Sequence, residues 1–321
     1  MSASPAEGFS AIDVLGIGTV AVDDILFLPG FPRPDSKLKV LRRERHTGGL
    51  CGTALVAAQR MGGRCAYAGC LGEDELSVFV LERLTAEGIS VEHVVRRKGA
   101  RPYYSTILVD TAHTTRTILF DPDGVIGADP NEPQAAFLRF CKVLLVDQAG
   151  VEGMVRAAHI VHEAGIPVVA DIERAGHPLL EELSDLSDHL IVPLDYARSR
   201  TGMDDPGAAA RGLWSHSRSA VVVTCGGEGS WYLSQDDPGS VYHQPAFRVD
   251  VVDTNGCGDV FHGVYAASLA EGKAMVERIR IASAVAAIKA TKSGGQQGIP
   301  TRPVADSFLR EHQREAQLSG G

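Results

Sequence analysis

Apolar runs and segments of helical periodicity alternate through the second half of the chain. From residue 142 onward they predict strands at 143–147, 167–172, 190–193 and 220–224, and helices at 151–164, 179–186, 260–271 and 274–291. Strands that alternate with helices specify a parallel sheet with both faces covered, and ligands of such sheets bind at the carboxyl ends of the strands. We therefore expect an α/β fold with its site at that edge.

The first half of the chain predicts more extended structure. A short apolar run at 11–18 has the form of a buried first strand, and helices are indicated at 51–61 and 75–87. Alternating segments stand outside this regular pattern at 19–28, 37–46, 103–110 and 116–120. We expect these four to form a small sheet laid over the site.

The stretch 253–259, DTNGCGD, lies between a predicted strand at 247–252 and a predicted helix at 260–271. Glycines in such a turn let the backbone approach a ligand, and the first amides of a helix point unpaired N–H groups outward. The amides of Gly256, Cys257 and Gly258 are therefore predicted to hold a phosphate group during its transfer. The stretch alone leaves Asp259 two interpretations, dipole compensation or proton acceptance from an attacking hydroxyl.

Composition narrows the class of protein. The 321 residues are 44% hydrophobic with a net charge of -9 and a pI near 5.7, which predicts a large core and argues against nucleic acid as a partner. No run approaches the roughly 18 apolar residues of a membrane helix, so we expect no membrane partner and a cytoplasmic location. The six cysteines form no CxxC pair, as is typical of reduced, buried thiols.

Polar residues stand at the carboxyl ends of two predicted strands of the parallel sheet. They are Asp147, Gln148, Asp171 and Glu173. Each is expected either to line the site or to cap the helix that follows it. Of the four, Asp171 is the preferred candidate for the site.

The longer stretch 253–263, DTNGCGDVFHG, resembles the signature DTTGAGDxFxG of the ribokinase (PfkB) family of carbohydrate kinases. Asn255 and Cys257 replace a Thr and an Ala, and the other specified positions match. The resemblance implies a ribokinase-like three-layer α/β/α sandwich with a central, mostly parallel sheet and a small β-sheet lid. It also implies ATP-dependent phosphoryl transfer to a sugar hydroxyl, with Asp259 as the general base and residues 256–258 as the anion hole.

The resemblance also predicts how the chain is divided. Residues 1–18, 48–98 and 122–321 would form the nucleotide-binding α/β domain, and residues 19–47 and 99–121 would form the lid over the sugar. An open lid sheet has exposed edges and an apolar face. We therefore expect a homodimer in which a second copy covers the lid.

Candidate sugar-binding residues follow from the same resemblance. In the family an acid on the lid holds sugar hydroxyls, and Asp23 is preferred to Asp24 for that position. The pair Gly48 and Gly49 precedes the helix at 51–61, in a layout that lets the backbone approach the sugar. Thr53 stands where the family usually has an Asn that touches sugar hydroxyls, so the substrate is expected to differ from ribose or to be held differently.

Short segments favour one branch of the family. The segments FHG at 261–263 and GGQQGIP at 294–300, together with Thr53, most resemble the ketohexokinase and sulfofructose kinase branch. A ketohexose, with or without an anionic 6-substituent, is therefore the expected substrate. Lys37 would either contact such an anion or serve as an exposed edge lysine. An adenosine-type nucleoside kinase of the same fold and a non-catalytic sugar-sensing regulator are the rival functions.

The segment 224–229, TCGGEG, resembles the T-x-G-x-x-G nucleotide loop of the family. By itself the segment is equally typical of a tight hairpin. Because DTNGCGD follows it, the nucleotide interpretation is preferred. The expected nucleotide contacts are Thr224, Gly226, Gly227, Gly229, Asn255 and Gly258.

The resemblance implies ATP and Mg²⁺ as cofactors. The family often has an Asn-x-x-Glu element that helps to place magnesium waters, but its expected position at 193–196 reads PLDY, so no Mg²⁺ ligand is named. The family's loop at 293–298 closes the adenine pocket and helps to form a monovalent-cation site. Asp253 is therefore an expected cation ligand, and K⁺ a further expected cofactor.

Overall fold

The chain is described here by a computed structural model that covers residues 11–113 and 115–319. Its strands are β1 (Ile12–Ile17), β2 (Ala21–Leu28), β3 (Arg42–Gly48), β4 (Cys65–Tyr67), β5 (Cys70–Leu71), β6 (Val95–Arg96), β7 (Tyr103–Asp110), β8 (Thr115–Asp121), β9 (Cys141–Val146), β10 (Val168–Asp171), β11 (His189–Pro193), β12 (Ala220–Thr224), β13 (Ser230–Ser234) and β14 (Asp237–Gln244). Its helices are α1 (Leu50–Arg60), α2 (Glu75–Ala86), α3 (Ala135–Leu138), α4 (Val151–His162), α5 (Pro178–Asp185), α6 (Leu194–Thr201), α7 (Pro206–Gly212), α8 (Cys257–Ala270), α9 (Met275–Ala290) and α10 (Arg302–Ser319).

The central sheet has eight strands in the order β14-β13-β12-β11-β10-β9-β1-β4. The pairs from β12 to β4 are parallel, and β13 and β14 add an antiparallel edge. Successive residues of a strand point to opposite faces. In β9, Val143 and Leu145 join the core beneath α1, α8 and α9, whereas Leu144 and Val146 join the core beneath α4. Helices therefore cover both faces, which confirms the predicted three-layer sandwich.

A second sheet has four strands in the order β3-β2-β7-β8. Strands β2 and β7 are parallel, and the two outer pairs are antiparallel. The sheet joins the extended segments that the sequence predicts as a lid. Residues 1–10, 114 and 320–321 of the two predicted domains lie outside the described residues.

Two predicted strands differ from the structure. Residues 247–252 form no strand, and the exposed side chains of Val251 and Val252 pack against no sheet. The amides of Val252 and Asp253 instead donate to the carbonyl oxygen of Ala290, so the segment is fastened to the end of α9. The predicted strand at 37–46 begins only at Arg42; the amide of Leu41 still donates to the carbonyl oxygen of Phe27 in β2 at 2.8 Å, but residues 37–40 form no strand.

Helices α1 and α8 lie unusually close together beneath the site. A Cβ atom added to Gly263 of α8 would lie 1.8 Å from the carbonyl oxygen of Ala54 in α1. Only glycine permits this approach, which packs the middle of α8 against the N-terminal half of α1.

Two further expectations concern cysteines and membranes. All six cysteines are free, and four of them are buried. Among the helices of residues 11–113 and 115–319, none has the length and hydropathy required to cross a bilayer.

Candidate active site

The turn at 253–259 presents backbone amides at the start of α8. Gly256 has a left-handed backbone (φ 79°), which glycine adopts without strain. Within the described part of the chain, no protein acceptor binds the amides of Gly256, Gly258 and Asp259. The amide of Cys257, by contrast, donates to the carbonyl oxygen of Thr254 at 3.1 Å. The donors open to an anion are therefore those of residues 256, 258 and 259, rather than 256–258 as predicted.

Asp253 fixes the shape of this turn. One carboxylate oxygen accepts from the amide of Asn255 and the other from the amide of Gly294, both at 2.9 Å. Burial raises the pKa of Asp253, but these two amides and the nearby Lys289 outweigh it and hold the pKa below its usual range. The carboxylate joins the turn to the loop at 293–298.

Asp259 lies in the first turn of α8 among other acids. Burial, followed by the negative charges of Asp171, Glu173 and Asp147, raises its pKa well above the usual carboxyl range, and His262 partly offsets them. A carboxyl group with a raised pKa is a stronger base once it is ionised. This is the electrostatic setting that a proton acceptor requires.

His262 lies one turn along α8 and is buried. Its Nδ1 is 2.8 Å from the carbonyl oxygen of Gly258, and its Nε2 is 2.9 Å from that of Ile191. Carbonyl oxygens only accept, so a ring nitrogen that bonds either carbonyl must carry the hydrogen. Asp171 places a carboxylate oxygen 3.2 Å from Nδ1. The sequence analysis missed this pair, although a histidine in an otherwise apolar helix was the available signal.

The acids at the strand ends have separate tasks. Asp147 accepts from the amide and hydroxyl of Thr19 at 2.6 and 2.7 Å, and from the amide of Ala149 at 3.0 Å. A Cβ atom at Gly18 would lie 2.4 Å from this carboxylate, so a glycine is required there. Asp147 therefore fixes the connection between β1 and the lid. Asp171 is the acid whose charge has the largest effect on the pKa of Asp259.

The predicted nucleotide loop lines a cavity of about 310 Å³ beside α8. The opposite wall consists of small residues of α9, and the floor of apolar residues at 246–251. The lining includes five of the six predicted nucleotide contacts: Thr224, Gly226, Gly227, Gly229 and Gly258. The sixth, Asn255, lines the neighbouring cleft instead. A mostly apolar cavity that reaches the free amide of Gly258 suits an apolar base with a phosphate tail.

A larger cleft of about 650 Å³ lies between the lid sheet and the turn. Its charged lining residues are Asp23, Glu44, His46, Asp110, Arg116 and Asp253. The cleft and the nucleotide cavity share Val251 and Thr254 in their linings. The turn therefore separates two adjacent binding spaces.

The structure distinguishes the two acids considered for the lid. Asp23 lines the cleft, and burial raises its pKa, although a hydrogen bond from Ser105 opposes the rise. Asp24 instead pairs with Arg45 at 2.7 Å and accepts from the Tyr104 hydroxyl at 2.8 Å. Asp23 is thus the acid placed where a bound molecule would meet it.

The glycine pair before α1 supports the same cleft. A Cβ atom at Gly48 would lie 3.1 Å from a carboxylate oxygen of Asp23. Gly49 has a positive φ of 87°, and a Cβ atom there would meet the backbone of Val20 at 2.6 Å. Both glycines therefore leave space for the connection between the lid and α1.

Thr53 and Lys37 are placed differently from what the sequence suggested. Thr53 is buried, and its hydroxyl accepts from the amide of Gln296 at 3.3 Å, while Gln296 accepts from Thr47 of the lid at 2.8 Å. Lys37 is exposed and does not line the cleft, since it lies before β3 in a segment that forms no strand. The bridging role of Gln296 was missed, since its partners are distant in sequence.

Known proteins match this chain along most of its length. A family model described as pfkB family carbohydrate kinase matches residues 11–302. A ribokinase from Haemophilus influenzae is 27% identical over 308 residues, covering 92% of this chain and 97% of that protein. Fructokinase-1 from Zea mays is 29% identical over 279 residues, covering 79% and 85%. An Arabidopsis thaliana ribokinase, solved with ribose and ATP, has a TM-score of 0.83 at 20% identity and covers 94% of this chain and 99% of that one.

The arrangement of acids predicts how Asp259 titrates. Replacing Asp171 by Asn removes the negative charge that raises the pKa of Asp259 most. The pKa of Asp259 should therefore fall, although burial keeps it above the usual range. Carboxyl ¹³C shifts followed against pH measure the change. Glu173→Gln is the matched control and should lower the pKa less, because Glu173 is exposed and its charge is screened. An unchanged pKa in Asp171→Asn would contradict this account.

Proposed function

The chain belongs to the pfkB family of carbohydrate kinases and is an ATP-dependent sugar kinase, and from this premise we propose that it phosphorylates a ketohexose with Asp259 as the general base. The observation that carries the proposal is the position of the turn. Thr254 lines both the nucleotide cavity and the lid cleft, Gly258 with its free amide lines the nucleotide cavity, and Asp259, with its raised pKa, is the next residue of α8. A phosphoryl group passing from one space to the other would meet both the amide and the carboxylate.

In the proposed reaction a sugar hydroxyl attacks the γ-phosphorus of ATP in line with the leaving ADP oxygen. The new oxygen–phosphorus bond forms as the bond to the β-phosphate oxygen breaks, and the hydroxyl proton passes to Asp259. The amides of Gly256 and Gly258 would donate to the oxygens of the moving group and stabilise their charge. The lid would exclude water that otherwise competes as the acceptor.

The residues present fit a magnesium ion that arrives on the nucleotide. The Oδ2 of Asp171 is buried and makes no hydrogen bond, although His262 Nδ1 lies 3.2 Å away, and the charge of Glu173 raises the pKa of the same carboxyl. Mg²⁺ keeps several waters when it binds with phosphates, and these two carboxylates would accept hydrogen bonds from them. The bound ion would neutralise charge on the β- and γ-phosphates.

The cleft supports a hydroxyl-rich substrate. Carboxylates outnumber cations in its lining, and acids such as Asp23 accept hydrogen bonds from sugar hydroxyls. Curated relatives include fructokinases as well as ribokinases, which agrees with a ketohexose. An anionic 6-substituent would have to be met by Arg116 or His46, since Lys37 lies outside the cleft.

The lid also supports the expected homodimer. Ile118, Leu119 and Phe120 are consecutive residues of the edge strand β8, and their exposed fractions are 48%, 55% and 65%. Three exposed apolar residues on an unpaired edge favour pairing with another copy. We propose that a second lid covers this strand.

Asp259→Asn should lower kcat by at least about 10², the usual scale of lost general-base catalysis, while the KM for sugar changes little. The asparagine keeps the size of the side chain but does not take up the proton. Coupled measurement of ADP release gives both constants. Asp250→Asn, an exposed acid near the turn, is the control and should retain full activity. A nearly fully active Asp259→Asn enzyme would remove Asp259 from this role.

The substrate follows from ADP release with MgATP across fructose, fructose 6-phosphate, 6-sulfofructose, tagatose, ribose and adenosine. We expect kcat/KM to be highest for a neutral ketohexose, because acids dominate the cleft. Preference for an anionic sugar would assign Arg116 or His46 as its partner, and Arg116→Gln should then selectively lose that substrate. Turnover of ribose or adenosine alone would contradict the ketohexose, and no turnover would favour the regulator.

Sedimentation velocity tests the dimer. The wild-type chain should sediment as a dimer at micromolar concentration, and Phe120→Glu should yield monomers, because a buried unpaired charge is costly. Val276→Glu, at another exposed apolar position outside the lid, should leave the dimer intact. A wild-type monomer would contradict the proposal.

A further inference from the structure

Lys289 is buried in the last turn of α9, behind the turn at 253–259. The residue has 0% relative exposure. Its Nζ donates to the carbonyl oxygen of Asp253 at 3.0 Å and to that of Asn255. A lysine at the end of a helix ordinarily extends to water. Here the ammonium instead binds the backbone of the turn.

A buried ammonium is costly unless its surroundings compensate. Burial lowers the pKa of Lys289, and Arg116 acts in the same direction. Cys257, Asp253 and Asp259 raise it, because negative charge near the ammonium favours the protonated form. Burial is the larger effect and holds the pKa of Lys289 below its usual range, so the two carbonyl oxygens bonded to Nζ are the contacts that stabilise the ammonium directly.

The carbonyl oxygens of Asp253 and Asn255 would also be suitable ligands for a monovalent metal ion. Backbone carbonyl oxygens gathered around one point replace the water shell of such an ion. The resemblance to carbohydrate kinases implies a cation site beside Asp253, but the two nearest backbone carbonyls already bind Lys289. The residues present therefore do not fit an added K⁺ ion.

The ammonium acts on the amides through the peptide groups. In a trans peptide the C=O and the following N–H point in opposite directions. A positive charge on the carbonyl of Asn255 therefore polarises the N–H of Gly256, on the opposite side of the same peptide group. That N–H has no acceptor within the described residues and is one of the predicted anion donors.

We propose that Lys289 is a built-in monovalent cation, which fixes and polarises the turn so that phosphoryl transfer by this enzyme needs no K⁺. This inference rests on the proposed function, in which the turn binds the moving phosphoryl group. Its consequence for the wild type is direct. Activity in KCl, NaCl and choline chloride at equal ionic strength should agree within about twofold, a change too small for a required electrostatic contact.

Three substitutions separate the charge of Lys289 from its volume. Lys289→Ala removes the ammonium and leaves space among the carbonyls, so activity in choline chloride should fall at least about tenfold and return in KCl or NH₄Cl. Lys289→Met removes the charge but fills most of the space, so its lost activity should not return. Lys292→Ala, an exposed lysine just after α9, is the control and should behave as the wild type in every salt.

Thermal unfolding without substrate gives a readout independent of catalysis. KCl or NH₄Cl, relative to choline chloride, should raise the midpoint of Lys289→Ala but not that of the wild type or Lys289→Met. If the wild type phosphorylates no sugar, the proposed function fails, whereas the midpoints still decide whether a cation replaces Lys289.

Several outcomes would overturn the inference. One is severalfold stimulation of the wild type by K⁺, and another is full activity of a Lys289 variant in choline chloride. A third is a folded Lys289→Ala enzyme in which neither the activity nor the midpoint responds to K⁺ or NH₄⁺. If Lys289→Ala does not fold, the Lys289→Met enzyme provides the test. Full activity of folded Lys289→Met in choline chloride would overturn the inference, because that variant has no charge at this position.

Discussion

The orientation of a single backbone turn is the constraint on which the site depends. The amides of Gly256, Gly258 and Asp259 are left open to an anion, while the carbonyl oxygens of Asp253 and Asn255 point to Lys289 in the protein interior. Buried carbonyls require donors, and water cannot supply them there. Lys289 supplies them from behind, while the Asp253 side chain holds the turn against Gly294. The same peptide group thus binds Lys289 through its carbonyl oxygen inside the protein and offers its N–H to an anion on the opposite side, as between Asn255 and Gly256.

A parallel sheet brings its strand ends to one edge, and here that edge collects acids. Asp147 accepts hydrogen bonds from Thr19, and a carboxylate oxygen of Asp171 lies 3.2 Å from the His262 ring. Burial raises the pKa of Asp259, and the negative charges of Asp171, Glu173 and Asp147 raise it further. His262 and the donors at Thr19 offset part of the repulsion among these acids.

Much of the fold follows from the sequence because strands buried on both faces read as continuous apolar runs, as in 143–146 and 220–224. The Asp259 turn was found because its chemistry is local. By contrast, residues 247–252 have strand-like composition, but residue composition does not show whether a neighbouring strand is available to pair with them. The roles of Lys289 and Gln296 were not predicted, because their hydrogen-bond partners lie far away in sequence. A lysine in the last turn of a helix ordinarily indicates an exposed end.

The lid and the turn are coupled through polar contacts that cross the cleft. Arg116 of β8 lies 3.4 Å from a carboxylate oxygen of Asp253, and Gln296 bridges Thr47 of the lid to Thr53 of α1. An anionic substrate that drew Arg116 away would leave Asp253 with one positive charge fewer. The carboxylate would then depend more on Lys289 and on the Gly294 amide. The buried ammonium thus keeps the turn in place while the lid residues change partners, a task that a dissociable ion would perform less reliably.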